Sequence, residues 1–514
     1  MTEKTKQSNI NDLNKKRIYY AAGILIFLAS YSLTPLYTSN QNQYLLPGMA
    51  QAGLGSLDND WITTIADPTP VFTFLVKWTF VLLKSDLWFH VYYFVLLGIY
   101  FISLLEICIT VFRTRKPGRD ILVISAVIIF FHSYLLRFLL TSLIGSDWGF
   151  LFDGGVASQK LLGTVFQPSV FGIFLVTSLL FYLKKKPVIA IFLTCFAATM
   201  HPTYLLSAAL LVAGYMIHTI YENKDWKKAF LLGSVALILI SPIVIYVFSH
   251  FSDTSNNAAE AYHILVNIRL PHHAQINFWF DIPSIIKISI IVLGIIIARK
   301  QYPISIPLLA VFILATVISI AQYILDSDIL ALIFPWRAST LLVPVCSAIF
   351  LSKFGLAVFD RVRYQKGYRL FQITIVLLLA ITTFSGIYRS TVLFKRQGET
   401  PEAGLYAWVQ KNSNANDKFL IPIGLDTFRT STLRPVYIDY FFSPHAAQDV
   451  VDWYHRVLSA NKYYEDGDCK ELYYIHHDDK ITHIVTESAK EQIICEHTSP
   501  VYADDYYRVY QYNE

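Results

Sequence analysis

Charged residues are scarce in this chain. They make up 15% of its 514 residues, whereas a soluble domain carries about 25%. So few charges cannot cover a water-facing surface, which excludes a soluble enzyme, a coiled coil and a disordered scaffold. Cysteine is scarce as well, and five cysteines are too few for a disulfide framework. The net charge of +5 is explained by membrane topology, and we expect no nucleic-acid partner.

Apolar and aromatic residues are abundant. The chain is 54% hydrophobic, with 33 Tyr and 36 Phe, and its mean hydropathy is +0.44. A bilayer-spanning helix needs about 20 mostly apolar residues. Eleven segments qualify or nearly qualify, and no small-residue cleavage site follows the first, which predicts an uncleaved span. The segments lie near 18–36, 87–112, 121–143, 161–183, 187–200, 203–221, 229–250, 284–298, 304–324, 331–352 and 370–388.

The distribution of Lys and Arg predicts the orientation. The apolar stretch 71–84 is short and contains Lys77, and if it does not span, 22 Lys and Arg fall on one side and 5 on the other before residue 389. The positive-inside rule places the richer side in the cytoplasm. We therefore predict a cytoplasmic tail at 1–17, a transmembrane domain at 18–388 and an outer interfacial helix at 71–84 within a first extracytoplasmic loop, 37–86. The alternative is a twelfth span.

The C-terminal segment, 389–514, is polar and has no run long enough to span. We predict a small extracytoplasmic α/β domain there. Pro401 suits the first turn of a helix at 401–412, and alternating runs predict strands at 419–423, 435–439, 482–487 and 506–512. Cys469 and Cys495 both lie in this segment, and the sequence leaves open whether they pair.

The first loop carries Asp58 and Asp60, followed by Trp61. Residues two apart in extended backbone project to one side, so both carboxylates could face a single ligand. They could bind a divalent cation, or one could act as general base toward a hydroxyl. The alternative is that both are solvated or act as turn and cap residues.

Further polar residues occupy later outer loops. The loop 144–160 contains Asp147, Asp153 and Lys160, with glycines that suggest a shaped loop or a plain connector. A short fifth span ends at His201 and Tyr204, where Pro202 predicts a break between two spans.

The loop 251–283 contains Arg269, His272 and His273. Adjacent histidines point in different directions, so a zinc site is disfavoured, and Arg269 with one His could recognise an anionic headgroup. Arg337, at the outer end of the tenth span, matches phosphate geometrically. Arg137 and Lys287 are also intramembrane and either line the same cavity or snorkel.

The C-terminal segment also concentrates basic and aromatic residues. Phe428, Arg429, Arg434 and Asp439 could form a glycan-binding surface with 453–456. They could equally be the core and the ion pairs of the domain.

Acids and cations at an outer membrane surface suit transfer of a sugar from a lipid phosphate to a hydroxyl acceptor. The chain resembles the GT-C superfamily, the polytopic glycosyltransferases that use polyprenyl-phosphate-linked sugars. The resemblance rests on 58–60 between apolar helices of the first loop, on the 201–204, 269–273 and 335–337 motifs, and on the C-terminal domain, and it is to uncharacterised bacterial members.

This resemblance implies an all-α polytopic fold with a C-terminal α/β domain, and a catalytic base at Asp58 or Asp60. It implies a bacterial inner-membrane protein of cell-envelope polysaccharide synthesis, whose partners are membrane lipid, a polyprenyl-phosphate-linked sugar and a glycan, lipid or protein acceptor. A divalent cation, Mg²⁺ or Mn²⁺, is compatible with it, with Asp58 and Asp60 as ligands. Substrate-binding residues would be Arg337, Arg269, His272, His273, His201, Tyr204 and Lys160.

Two other functions remain open from the sequence. A transporter or flippase would place charges near the midplane and would carry an internal repeat, which the chain lacks by inspection. A non-catalytic assembly factor of envelope polysaccharide synthesis would tolerate loss of both Asp58 and Asp60.

Overall fold

The structure is a computed structural model that describes residues 3–114, 117–252, 257–363, 368–490 and 495–513. The chain divides into two compact units. Unit 1 comprises Met1–Leu33, Phe89–Ile243 and Pro271–Val392, and unit 2 comprises Thr34–Trp88, Val244–Leu270 and Leu393–Glu514. The first loop therefore belongs to the same unit as the C-terminal segment.

Apolar helices form most of unit 1, and some of them begin or end a few residues outside its limits in the sequence. Short helices and 3₁₀ turns connect them, chiefly Ser146–Trp148, Pro168–Gly172, Pro202–Tyr204, Pro271–Ala274, Ile276–Trp279, Asp328–Leu332 and Pro335–Ala338. The long helices are Glu3–Tyr31, Leu87–Phe112, Pro117–Phe131, Tyr134–Leu143, Ile173–Leu183, Pro187–Met200, Leu205–Asn223, Trp226–Phe251, Ile282–Ala298, Tyr302–Leu325, Ser339–Arg363 and Tyr368–Arg396.

Every predicted span contains a helix. Among the described residues, six helices are long and apolar enough to cross a membrane, or seven if the bent pair Gly118–Phe131 and Tyr134–Leu143 is one span. The chain is thus a multi-pass membrane protein with the predicted all-α fold. Four other predicted spans coincide with shorter apolar helices, so the total of eleven and the orientation stay predictions.

The helices of unit 1 pack closely where small residues face one another. A side chain at Gly294 would lie 2.4 Å from the Cβ atom of Cys346, so only glycine lets Ile282–Ala298 approach Ser339–Arg363 this closely. The predicted break near Pro202 is present: Pro187–Met200 ends, His201 is extended, and the next helix begins at Leu205. The residue before a proline disfavours helical backbone, which explains the break.

Unit 2 contains helical segments of 3 to 20 residues and one four-stranded sheet. Its helical segments are Gln41–Tyr44, Leu46–Gln51, Leu57–Asn59, Trp61–Thr64, Pro70–Trp78, Thr79–Leu83, Ala258–His263, Ile264–Arg269, Ala403–Asn412, Phe428–Thr432, Ala447–Asp466 and Cys469–Asp479. The stretch predicted as an interfacial helix is therefore helical, and its location at the membrane surface stays a prediction.

The sheet has four strands, of which the last in sequence lies between the second and the third. Its strands are β1 (Phe419–Leu420), β2 (His483–Glu487), β3 (Thr498–Ala503) and β4 (Tyr507–Tyr512); β1 is parallel to β2, and β4 is antiparallel to both β2 and β3. The core of this domain is apolar, with Phe419, Phe428, Val436, Val485 and Val509 fully buried.

The strands differ from the sequence prediction at two places. The strand predicted at 435–439 is wrong, since Val436 forms only an isolated bridge with Phe419. The chain turns away because Asp439 accepts hydrogen bonds from the backbone N–H groups of Phe441 and Phe442. Strand β3 was not predicted; it lies at the edge of the sheet, where the proline that it contains, Pro500, is tolerated.

Cys469 and Cys495 form a disulfide, 26 residues apart in sequence. A loop of this length restricts the unfolded chain enough to stabilise the fold by about 3 kcal/mol. We therefore expect Cys469→Ser with Cys495→Ser to speed hydrogen exchange of the β2 amides by roughly 100-fold or more. Reductant should reproduce the effect in the natural chain and add nothing to the double variant. Unchanged exchange in reductant would contradict the prediction.

Candidate functional site

A tight hairpin turn in unit 1 organises the candidate site. The backbones of Gly154 and Lys160 form an antiparallel bridge, and Gly155 N–H donates to Gln159 O at 2.8 Å. At the tip, Ala157 and Ser158 have φ of 57° and 53°. Two consecutive positive φ values are typical of a type I′ turn, in which residues other than glycine are strained. The surrounding contacts must hold this turn in place.

Side chains from three other segments hold the hairpin. Lys287 Nζ donates to Gly155 O at 2.9 Å, and Ser339 Oγ accepts from Val156 N–H at 2.7 Å. His273 Nδ1 donates to Ala157 O at 2.7 Å. Gly155 has no side chain to prevent this approach, since a Cβ there would lie 2.6 Å from Ser339 Oγ. The strained turn is therefore fixed at successive backbone positions.

Arg337 lies beside the hairpin in the 3₁₀ turn Pro335–Ala338. Its guanidinium donates to Gln159 Oε1 at 2.5 Å and to His201 Nε2 at 2.8 Å, and its carbon lies 4.9 Å from the centre of the Tyr204 ring. We call Gln159, His201, Tyr204 and Arg337 the Arg337 cluster. Arg337 Nε is buried without a hydrogen-bond partner, and no carboxylate among the described residues pairs with this guanidinium.

Two further members of the cluster, His201 and Tyr204, are buried. His201 is 2% exposed, and because its Nε2 accepts from Arg337, the ring proton belongs on Nδ1. Tyr204 donates to Ser169 O at 2.7 Å. A Cβ at Gly172 would lie 2.5 Å from the Tyr204 hydroxyl, so glycine there makes room for the ring. The cluster thus presents a positively charged group whose hydrogen-bond partners are neutral.

Asp153 precedes the hairpin and is 1% exposed, and its Oδ2 has no hydrogen-bond partner among the described residues. The charge of Asp153 acts on Lys160, and Lys160 and Arg137 both lie over the Phe150 ring, at 4.0 and 5.2 Å. Arg137 and Lys287 are buried and bonded to backbone carbonyls instead of snorkelling. The sequence showed Asp153 as a polar residue of the loop 144–160 but gave no reason to choose it as a site residue, since its burial depends on contacts from distant segments.

Unit 2 contains the first-loop acids, and they have different environments. Asp58 is exposed, whereas Asp60 is fully buried. The expectation that both face one ligand is wrong, because Leu57–Asn59 is a 3₁₀ turn rather than extended backbone. Among the described residues, no group of three or more His, Cys, Asp and Glu side chains could hold a metal ion.

Asp60 belongs to a buried ion-pair triad with Arg429 and Asp439, which we call the Asp60 triad. Arg429 Nε donates to Asp60 Oδ2 at 2.6 Å, and Arg429 also donates to Asp439. The second Asp60 oxygen accepts from Ile62 N–H at 3.0 Å. Burial lowers the pKa of Arg429, but the two carboxylates outweigh it and raise that pKa above its usual value. Hydrogen bonds thus occupy both carboxylate oxygens of Asp60.

The other predicted substrate-binding residues lie in separate segments, one of them in unit 2 and the rest in unit 1. Arg269 lies in unit 2, where it donates to Phe441 O at 2.6 Å and packs on the Tyr440 ring at 5.3 Å; burial lowers the pKa of Arg269. His272 lies in unit 1, with its ring centre 4.0 Å from that of His273. Within unit 1 the structure thus groups Arg337, His201 and Tyr204. Lys160 ends the adjoining hairpin, and His273, in Pro271–Ala274, donates to that hairpin.

An open apolar groove of about 540 Å³ also lies in unit 1. Trp336, next to Arg337 in the chain, lines it, together with Trp279, Phe312 and Tyr323. Trp279 and Trp336 also bury Val156 and Ala157 of the hairpin. The groove and the hairpin therefore share the same two tryptophans.

Comparison with known proteins gives one family match and several similar structures. Residues 401–460 match a domain of unknown function (DUF6798), a range that includes Arg429 and Asp439. No curated protein matches the chain.

Two of the similar structures belong to the GT-C class that the sequence resembles. One is the archaeal oligosaccharyltransferase AglB from Archaeoglobus fulgidus in complex with an inhibitory peptide and a dolichol-phosphate. It is 10% identical to this chain with a TM-score of 0.47, and the match covers 92% of this chain and 69% of AglB. The other is ArnT from Cupriavidus metallidurans bound to undecaprenyl phosphate. It is 11% identical with a TM-score of 0.45, and the match covers 96% of this chain and 97% of ArnT. At this similarity neither assigns an activity or a catalytic residue to this chain.

Proposed function

We propose that the protein is a membrane glycosyltransferase that moves a sugar from a polyprenyl-phosphate donor to a hydroxyl of a glycan, lipid or protein acceptor. Unit 1 binds the donor, and Arg337 holds its phosphate. The observation that carries this proposal concerns the Arg337 guanidinium: among the described residues its hydrogen-bond partners are neutral, and its buried Nε has none.

A guanidinium among apolar helices is costly unless it faces a polar cavity or an anion. The amide of Gln159 and the imidazole of His201 orient Arg337 without neutralising it. Phosphate oxygens match the fork of N–H groups on arginine, and the resulting charge-assisted bonds are stronger than neutral ones. An anionic phosphate is the ligand that completes this site.

The same group assists the reaction. The acceptor hydroxyl attacks the anomeric carbon of the sugar, the bond from that carbon to the phosphate oxygen breaks, and polyprenyl phosphate leaves with the bonding electrons. Arg337 stabilises the negative charge that develops on the leaving phosphate. Asp153 takes the proton of the acceptor hydroxyl as general base, since its buried Oδ2, unlike the oxygens of Asp60, has no hydrogen-bond partner among the described residues. Asp58, the exposed first-loop acid, is the second candidate for this role.

The apolar groove accommodates the beginning of the isoprenoid chain. Trp336 lines the groove and Arg337 follows it in the chain, so a lipid phosphate at Arg337 has a hydrocarbon-binding surface one residue away. Burial of the chain against tryptophan rings supplies the hydrophobic part of the affinity.

Native mass spectrometry of the full chain in detergent, which measures its binding of undecaprenyl phosphate, tests the proposal. We expect Arg337→Ala to weaken binding by at least tenfold, since a charge-assisted bond to phosphate is worth about 1.5–3 kcal/mol. Arg337→Lys should recover only part of the affinity, because lysine lacks the bidentate fork. Arg299→Ala, an exposed arginine of unit 1 outside the cluster, is the matched control. Equal affinity of Arg337→Ala and the natural chain would refute the proposal.

A further inference from the structure

A second group of cations in unit 1 lines a cavity that the proposed reaction does not use. The cavity has a volume of about 520 Å³, within the range of ligand pockets. Arg113, Lys300 and Lys353 line it, and all three are exposed. The apolar part of its wall consists of Val111, Phe112 and Ile297. Basic and apolar surface together suit an amphiphilic anion.

Stabilisation of helix ends does not account for all three cations. Arg113 follows the end of Leu87–Phe112, and Lys300 follows the end of Ile282–Ala298, where positive charge favours the helix dipole. Gln301 Nε2 already donates to Val111 O at 3.4 Å near the first of these ends. Lys353, however, lies ten residues before the end of Ser339–Arg363, beyond the reach of that effect.

The ion pairs of the described residues do not involve these three cations. No ion pair joins Arg113, Lys300 or Lys353 to a carboxylate within the part of the chain that the structure describes. Like charges around one cavity repel each other, and a bound anion would relieve that repulsion. All three lie in segments that the positive-inside rule assigns to the cytoplasm, where anionic lipids attract basic residues.

We propose that this cavity binds the phosphate group of an anionic phospholipid from the cytoplasmic leaflet. The phosphate contacts Arg113, Lys300 and Lys353, and the first carbons of the lipid lie on Val111, Phe112 and Ile297. The site is separate from the Arg337 cluster, and it rests on the predicted orientation and not on the proposed glycosyl transfer.

Native mass spectrometry of the full chain with phosphatidylglycerol tests this proposal, with phosphatidylcholine as the zwitterionic comparison. We expect the natural chain to prefer phosphatidylglycerol and Lys300→Gln with Lys353→Gln to bind it about 30-fold more weakly, at about fivefold per lysine. The matched control is Lys227→Gln with Lys228→Gln, which removes the same charge from two exposed lysines of the same predicted side outside the cavity.

The outcomes separate the possible sources of the phosphate. Inorganic phosphate at millimolar concentration could displace phosphatidylglycerol from the natural chain. If the variant Lys300→Gln with Lys353→Gln showed no such displacement, the result would support the same phosphate site with free phosphate as its ligand. Equal loss of binding in the control variant, or equal retention of both lipids by the natural chain, would overturn the proposal, because general surface charge would then explain the data.

Discussion

Replacing Arg429 with methionine is expected to lower the free energy of unfolding of unit 2 by roughly 3–5 kcal/mol. Methionine keeps the size of the side chain but leaves Asp60 and Asp439 buried, at 0% and 4% exposure, without their cation. Uncompensated buried carboxylates cost far more than a lost surface ion pair. Hydrogen exchange of the β2 amides in the full chain measures the effect as accelerated exchange.

Two further variants make this result interpretable. Lys470→Met removes an exposed charge from the same unit and should change exchange little. Arg429→Met combined with Asp60→Asn and Asp439→Asn removes the whole charged group, and we expect it to recover much of the stability. If Arg429→Met exchanged no faster than Lys470→Met, the Asp60 triad would not be a stabilising element.

The triad also changes the interpretation of Asp60→Asn. Asp60 accepts three hydrogen bonds, from Arg429 Nε, Val436 N–H and Ile62 N–H. Loss of activity in Asp60→Asn would therefore reflect damage to unit 2 as readily as loss of a general base. A stability measurement must accompany that variant, whereas Asp58→Asn is free of this ambiguity because Asp58 is exposed.

The helices were predictable from the sequence because each depends on a contiguous apolar run. The lengths of these runs place helices at all eleven predicted spans. The break between Pro187–Met200 and the helix beginning at Leu205 was also predictable, because Pro202 disfavours helical backbone at the residue before it. Properties that depend on neighbouring residues in the chain are thus accessible without a structure.

The environment of Asp60 was not predictable, because its partner Arg429 lies 369 residues away. The two acids at 58 and 60 gave no indication in the sequence that Asp60 forms a buried ion pair. The nearby cluster of Phe428, Arg429, Arg434 and Asp439 left open a glycan surface or internal ion pairs, and for Arg429 and Asp439 the structure has the ion pair.

The Arg337 cluster was predicted in its members but not in its assembly. Arg337, His201 and Tyr204 were each chosen for their own chemistry, and Gln159 was overlooked. Gln159 lies 178 residues from Arg337, and a neutral amide is not remarkable in a loop. The glycines at 154 and 155 were the available signal, since they predict a shaped loop around the residues that follow.

Asp153→Asn is expected to slow glycosyl transfer by about 100- to 10,000-fold, the usual contribution of a general base. Asparagine keeps the volume of the side chain but cannot take up the proton of the attacking hydroxyl. The assay incubates the full chain with a panel of undecaprenyl-phosphate-linked hexoses and pentoses and measures released undecaprenyl phosphate, a product common to every donor sugar. Binding of undecaprenyl phosphate should be retained, because Arg337 and its partners are unchanged.

Asp58→Asn is the comparison that decides between the two acids. Loss of turnover in Asp153→Asn alone, with unit 1 still folded, supports Asp153 as the base; loss in Asp58→Asn alone would transfer that role to the first loop. Turnover unaffected by either change, in a chain that still binds the lipid phosphate through Arg337, would contradict both assignments. A chain that binds the lipid phosphate and transfers no sugar in any variant would instead be an assembly or transport protein, since a phosphate site alone satisfies that function.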